Sequence, residues 1–450
     1  MLLASLKADL YAAGLNPKAF YAHQIAVFAC IAPAMYLLLR RWFTLVGAAS
    51  GAIVAMAGIP LIECVQRLMD RHYIEGLLFA LISVLSFQRK SIALTTFSAM
   101  AYLFAMAAKE IFVPLVLVLV VIAGLRSALP YAVALAIYCS WRFAVAGPHL
   151  ESYGWAVERK EWPRLIATLP LRFGRVLSGG NAIGAIALIL IVVAILVVVV
   201  LRPRSRLLIL IAASAALLPI LPVSFEIQQR YGLVSWIFVS TAVAALPSLR
   251  WLLALQIAIV LAVVVSSRVQ WPESLRAMER MSKEDRALSR LNAGDLLWMP
   301  SSPPATLEEL SRLTRSRASW TYDELPLCAG RLSARRFFEF EQECDCVREA
   351  RRDQLSRACS ADRVAPLSAR FHFEDGSLFW DFGPYEAGQY KVILADGRQG
   401  FRVPRHAGFH LGSDGRLPLR VRYESPAGWV TYSDDLQVSL HEGETTSWQR

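Results

Sequence analysis

Residues Ile183 to Leu201 read IGAIALILIVVAILVVVVL, nineteen positions without a polar side chain. A helix rises about 1.5 Å per residue, so this run nearly matches the ~30 Å hydrocarbon core of a bilayer. Such a stretch has to be buried along its whole length, which constrains the fold more than any other feature. Nine more apolar segments follow the same logic, at 20–39, 42–62, 73–88, 91–108, 111–125, 127–146, 206–222, 231–247 and 249–267. Together they predict a polytopic α-helical membrane protein with about ten transmembrane helices.

Charge follows the same division. Residues 1–267 carry 21 Lys and Arg against 9 Asp and Glu, and the rest of the chain carries 26 against 27. The net charge of +11 therefore belongs to the sparsely charged apolar body. That excludes a soluble enzyme, a disordered chain and a nucleic-acid binder, because the cations lie between apolar runs, where they set topology. Arg40, Arg41, Arg89, Lys90, Arg126, Arg202, Arg204, Arg206 and Arg250 follow the odd-numbered segments and read as cytoplasmic. The mixed loops at 63–72, 109–110, 147–179 and 223–230 then face outward, as does the region after the tenth segment. This orientation also leaves the N-terminus outside. Residues 1–19 lack the basic start and apolar core of a signal peptide, so either an upstream helix or a miscounted segment is expected.

Ionisable groups near membrane depth are costly and mark function by default. Four clusters qualify. Glu63, Arg67, Asp70, Arg71 and His72 follow Pro60. Lys109 and Glu110 separate two apolar segments. Arg142 lies within YCSWRF, and Glu226, Gln228, Gln229, Arg230 and Tyr231 precede another segment. Each alone has a plain reading as a solvated loop, a helix cap, a snorkelling arginine or an interface anchor. All four fall on the outer side by a topology assigned from other residues. Cations converging there suit a lipid phosphate or pyrophosphate.

In order and spacing these stretches resemble the GT-C-fold glycosyltransferases, membrane enzymes related to protein O-mannosyltransferases. The matching segments are LNPKAFYAHQ at 15–24, PLIECVQR at 60–67, AKEIFVP at 108–114, YCSWR at 138–142 and QRY at 229–231, and the likeness covers about residues 10–250. The resemblance implies a GT-C-like domain over 1–267, a polyprenyl-phosphate sugar donor, and inverting transfer on the outer membrane face. It implies that Lys109, Arg142, Arg230, Tyr231, Arg67 and His23 hold the donor phosphate. A divalent ion, Mg or Mn, is the one candidate cofactor, sharing the leaving phosphate with these residues. The family's acidic pair lies in its first outer loop. Here Asp9 stands alone before the first segment, so an upstream helix and acidic loop are expected. Glu63 and Glu110 are the carboxylates left as substitute catalytic bases.

After Trp271-Pro272 the composition becomes that of an extracytoplasmic α+β region. Residues 273–291, 306–315 and 335–358 read as charged helices. Cys328, Cys344, Cys346 and Cys359 lie here and suggest two disulfides in an oxidising compartment. The pairing is open, although Cys344 and Cys346 are too close to favour each other. The spacing is not that of a standard zinc site. From about Ala365 the period becomes two, in SARFHFE, GSLFWDF, GQYKVIL, QGFRVP, PLRVRYE, GWVTYS and LQVSLHE. That predicts a small antiparallel β-sandwich of roughly seven strands over 365–450, after a Cys-containing region at 268–364.

The expected function is transfer of a sugar from a polyprenyl-phosphate donor to a glycan, lipid or protein acceptor at the periplasmic face. The expected location is the bacterial inner membrane, with the bilayer as a partner. The alternative is a non-catalytic scaffold or lipid-glycan binder that has lost the catalytic base.

Overall fold

Asn16 and Pro17 start the longest described helix: the Asn16 side chain accepts from the Lys18 N–H, and proline occupies the first turn, where its missing N–H costs nothing. The computed structural model describes residues 2–14, 16–87, 91–124, 128–146, 155–156, 162–201, 229–246, 252–268, 279, 290–298, 318–330, 332–341, 346–350, 352–394, 397, 399–411 and 415–450. These form two units, Met1–Leu150 with Pro163–Pro272, and Glu151–Trp162 with Glu273–Arg450.

The first unit is helical. Its helices are α1 (Leu2–Ala13), α2 (Pro17–Arg40), α3 (Leu45–Met56), α4 (Ile59–Gln66), α5 (Arg71–Ser86), α6 (Ile92–Ala108), α7 (Leu115–Ala123), α8 (Leu129–Ala146), α9 (Trp162–Ser178), α10 (Ala182–Leu201) and α11 (Leu233–Ala244). A twelfth, α12, spans Leu252–Arg268. Tight 3₁₀ turns at Leu68–Asp70, Glu110–Phe112 and Gln229–Gly232 connect them. Ile31, Met35, Leu39, Tyr73, Ile74, Tyr102, Met106 and Tyr131 share one buried core. Ile191, Ala194, Trp236, Val243 and Ile259 share a second.

The expectation of about ten bilayer-spanning helices in a GT-C-like arrangement does not hold. Among the described residues two helices are long and apolar enough to cross a membrane, Lys18–Arg40 and Ala182–Val200. A third counts only if α3 and α4, bent by 48° at their break, are taken as one span. The other apolar helices are shorter, Ile92–Ala108, Glu110–Val120, Leu129–Val145 and Leu252–Arg268 among them. Seventeen residues reach only about 25 Å. Apolar composition dictates burial but not helix length, and local breakers cut the segments. One is Gly58, where a Cβ would lie 1.7 Å from Trp236 Nε1, while that indole donates to Val54 O at 2.8 Å. Another is Lys109, whose extended backbone ends α6. The segment at 206–222 lies outside the described residues, as do the loop cations Arg89, Lys90, Arg126, Arg202, Arg204, Arg206 and Arg250. The stretch 147–179, read as an outer loop, contains α9.

The second unit is mainly β. Strands β2 (Asp295–Trp298), β3 (Ser319–Thr321), β4 (Arg336–Glu341) and β5 (Cys346–Glu349) form a sheet in the order β3-β2-β4-β5. In it β2 runs parallel to β3 and β4. Arg336 grips the buried Asp295 carboxylate through Nε and Nη2 at 3.1 and 2.8 Å. The described residues of the stretch 335–358, read as one charged helix, instead form β4, β5 and a short helix, α14 (Arg352–Ser360). The aromatic run Phe337, Phe338, Phe340 pairs in the sheet instead of lining a helix. The expected helices at 273–291 and 306–315 lie outside the described residues, apart from Glu279, Arg290 and Leu291.

Two further antiparallel sheets complete this unit. One is β1 (Trp155–Ala156), β10 (His406–His410), β7 (Ser377–Gly383), β6 (Ser368–Glu374) and β14 (Thr445–Gln449). The other is β12 (Val430–Tyr432), β11 (Arg416–Glu424), β8 (Gln389–Leu394) and β9 (Gly400–Val403), with β13 (Leu436–Ser439) also paired to β11. Alternate residues of both sheets, including Phe371, Phe373, Trp380, Phe382, Leu419, Val421 and Tyr423, share one core, as period-two strands require. Asp375 and Gly376, at φ 50° and 71°, turn β6 into β7; both need the left-handed region that a two-residue hairpin demands. The seven alternating runs are strands. Pairing adds β10, β14 and the distant β1.

On the other face of β8 and β11, Arg420 meets Asp323 at 2.7 Å, Arg422 meets Glu324 at 2.9 Å, and Lys391 donates to Tyr322 O at 2.9 Å. These contacts fasten the Cys-containing region to the second sheet. A disulfide joins Cys328, at the end of α13 (Leu325–Cys328), to Cys359 in α14, with Cα atoms 5.5 Å apart. Cys344 lies outside the described residues, and Cys346 opens β5.

Candidate active site in the helical unit

The end of α4, the turn Leu68–Asp70 and the start of α5 concentrate charge in an apolar body. Gln24, on α2, fixes this corner. Its fully buried Nε2 lies 3.0, 2.8 and 3.1 Å from the carbonyls of Cys64, Val65 and Arg67. The Cys64 and Val65 carbonyls belong to the last turn of α4, whose acceptors a helix end leaves unsatisfied.

Glu63 accepts from the Arg230 backbone N–H at 2.9 Å and meets Arg67 at 3.1 Å. Asp70, buried in its turn, accepts from Arg230 Nη1 at 3.2 Å. Burial pushes the Asp70 carboxyl up, and Arg230 and Arg67 oppose that rise. Arg230 also lies 5.5 Å from the Tyr231 ring, which meets Tyr73 edge-on at 6.3 Å. Lys109 pairs with Glu110 at 2.6 Å and lies 5.7 Å from the Tyr73 ring. Thus Glu63, Arg67, Lys109, Glu110, Arg230 and Tyr231 come together from three of the four sequence clusters. Arg142 is half-buried on α8, which packs on α6 and α7.

His23 belongs to a neighbouring group that starts at Arg71. Arg71 is fully buried, bonds Asp9 Oδ2, and donates to Phe20 O at 2.6 Å and Ser5 Oγ at 3.3 Å. Asp9 Oδ1 lies 2.8 Å from His23 Nδ1. Ser5 donates to the buried Glu75. Asp9, Gln24 and Glu75 were not legible as site residues. A lone acid in an N-terminal helix reads as surface, and nothing local links position 9 to position 71. The adjacent Asp70-Arg71 pair was the one available signal.

Four cations, Arg67, Arg71, Lys109 and Arg230, thus face Asp9, Glu63, Asp70 and Glu110 as paired charges, not as bare cations. For the largely buried Arg71–Asp9 and Arg230–Asp70 pairs, removing one partner typically costs about 3–5 kcal/mol, whereas Arg67 and Glu110 are more than half exposed and their pairs are screened by solvent. No described group of three or more His, Cys, Asp or Glu side chains is disposed to hold a metal. The carboxylates are turned onto arginine and lysine instead, so these residues do not fit the expected divalent ion.

No protein-family model, curated protein or solved structure matches the chain. The geometry of this cluster therefore carries the functional argument by itself.

Proposed function

We propose that the chain transfers a sugar from a polyprenyl-phosphate-linked donor to an acceptor at the outer face of a bacterial inner membrane. The observation that carries this reading is the paired-charge cluster of Glu63, Arg67, Asp70, Lys109, Glu110 and Arg230 inside an apolar helical unit. A cluster so expensive to bury is retained for chemistry. In the transfer, an acceptor oxygen bonds to the anomeric carbon while the bond from that carbon to the phosphate oxygen breaks. The electron pair leaves with the phosphate. Arg67, with 55% of its side chain exposed, meets the phosphate first, and Lys109 and Arg230 exchange carboxylate for phosphate oxygens as charge develops. Tyr231 and Tyr73 hold these cations over their ring faces. The Cys328–Cys359 disulfide supports an extracytoplasmic second unit.

The test is a transfer assay with labelled undecaprenyl-phosphate sugars on wild type and Arg230→Ala. Wild type transfers label, and the variant loses roughly 10²–10³-fold, as when one charge-stabilising donor is removed. No transfer by wild type overturns the reading. The mutual pairing of the charges favours one rival, a lipid-glycan binder without activity. It would bind the same donors and leave them intact.

A further inference from the structure

Beside the charge cluster, the helical unit holds an arrangement suited to take a proton from an acceptor hydroxyl. We infer that His23, oriented by Asp9, is the general base that takes the acceptor hydroxyl proton; this rests on the transfer reading above. Asp9 bridges two partners: Oδ2 takes the buried Arg71 guanidinium, and Oδ1 lies 2.8 Å from His23 Nδ1. Hydrogen bonds from Arg71 and His23 hold the Asp9 carboxyl below its usual range against the upward push of burial. A carboxylate at Nδ1 fixes the proton there and leaves the Nε2 lone pair to accept another. Arg71 Nη1 also approaches Nδ1, at 3.3 Å, because both nitrogens converge on one carboxylate.

Exposure separates the two roles. The His23 side chain is 37% exposed and Asp9 only 14%. The imidazole therefore meets the acceptor, and Asp9 is a positioning residue behind it. The surroundings are polar without being fully satisfied. Gln24 Oε1, Arg71 Nε and Glu75 Oε2 are buried without a hydrogen-bond partner among the described residues, and unpaired buried polar atoms are rare. In the step, the acceptor O–H proton passes to His23 Nε2 as the oxygen attacks the anomeric carbon. The imidazolium is stabilised by Asp9, and the phosphate leaves toward Arg67, Lys109 and Arg230.

The experiment measures kcat and KM for transfer from undecaprenyl-phosphate sugar by the full chain and by His23→Gln, Asp9→Asn and the double variant, with donor binding measured in parallel. The expected result is a roughly 10²–10⁴-fold fall in kcat for H23Q with donor binding kept, and a double variant no slower than H23Q. Added imidazole restores part of the activity of His23→Ala. An active wild type with H23Q within about threefold of it overturns the dyad while the transfer reading stands. Additive losses with no imidazole rescue also overturn it, as a merely structural role would give. Absence of transfer by wild type sinks the reading beneath it.

Discussion

At Lys391 on β8, a single ammonium is held under the Tyr322 carbonyl and 5.1 Å from its ring, near Asp323, Glu324, Arg402 and Arg422. Burial pushes it down to about 8 from an ordinary 10.5. Between those values the unfolded chain binds the proton and the folded chain does not. Stability from this group therefore rises with pH across the window, by at most about 1.4 kcal/mol per unit. Denaturant unfolding of wild type and Lys391→Met, followed by tryptophan fluorescence, should diverge between pH 8 and 10 as wild type gains; parallel curves would refute the burial argument. The same scale shows where sequence reading stopped. Glu63, Arg67, Lys109, Glu110 and Arg230 were legible because charge in an apolar run is conspicuous. The pairings were not: Asp9 meets Arg71 across 62 positions, and Asp70 meets Arg230 across 160.

Among the elements, the strands from β6 onward were legible because a half-buried strand writes its period into the sequence. HAGFH and TTSWQ were missed because glycine and polar residues blur that period in β10 and β14. The 335–358 stretch misled because its charges suggested an exposed helix, whereas Arg336 is spent on Asp295. Between α13 and α14 the decisive contact is covalent. Closing a loop of 31 residues is worth roughly 3–4 kcal/mol. Cys328→Ser with Cys359→Ser should lower the thermal midpoint of the second unit by several degrees in a non-reducing melt. Mild reduction should do the same to wild type and leave the double variant unmoved. An equal response of both proteins to reductant would assign the effect elsewhere.

For the whole molecule, apolar composition correctly separated a helical body from a β-rich region but overcounted the spans. Burial in a helical core and burial in lipid ask for the same residues. Gly58, Lys109 and the short turns show where the distinction is made. The pairing of β1 with β10 has a direct check. In a background lacking Cys30, Cys64, Cys139, Cys344 and Cys346, an impermeant maleimide should label Glu158→Cys and Glu442→Cys from the same side of membrane vesicles. Labelling of E158C and E442C from opposite sides would break that pairing.

Strand β1 also sets a timetable. Trp155 pairs with Phe409 and Ala156 with Gly408. At ribosomal speeds of about 5–20 residues per second, β1 emerges some tens of seconds before β10 exists. Through that interval the edge of the first sandwich sheet is an idle excursion between α8 and α9. Completion of the second unit is therefore a late event, and a chain stopped short of β10 would leave β1 without the strand it pairs with.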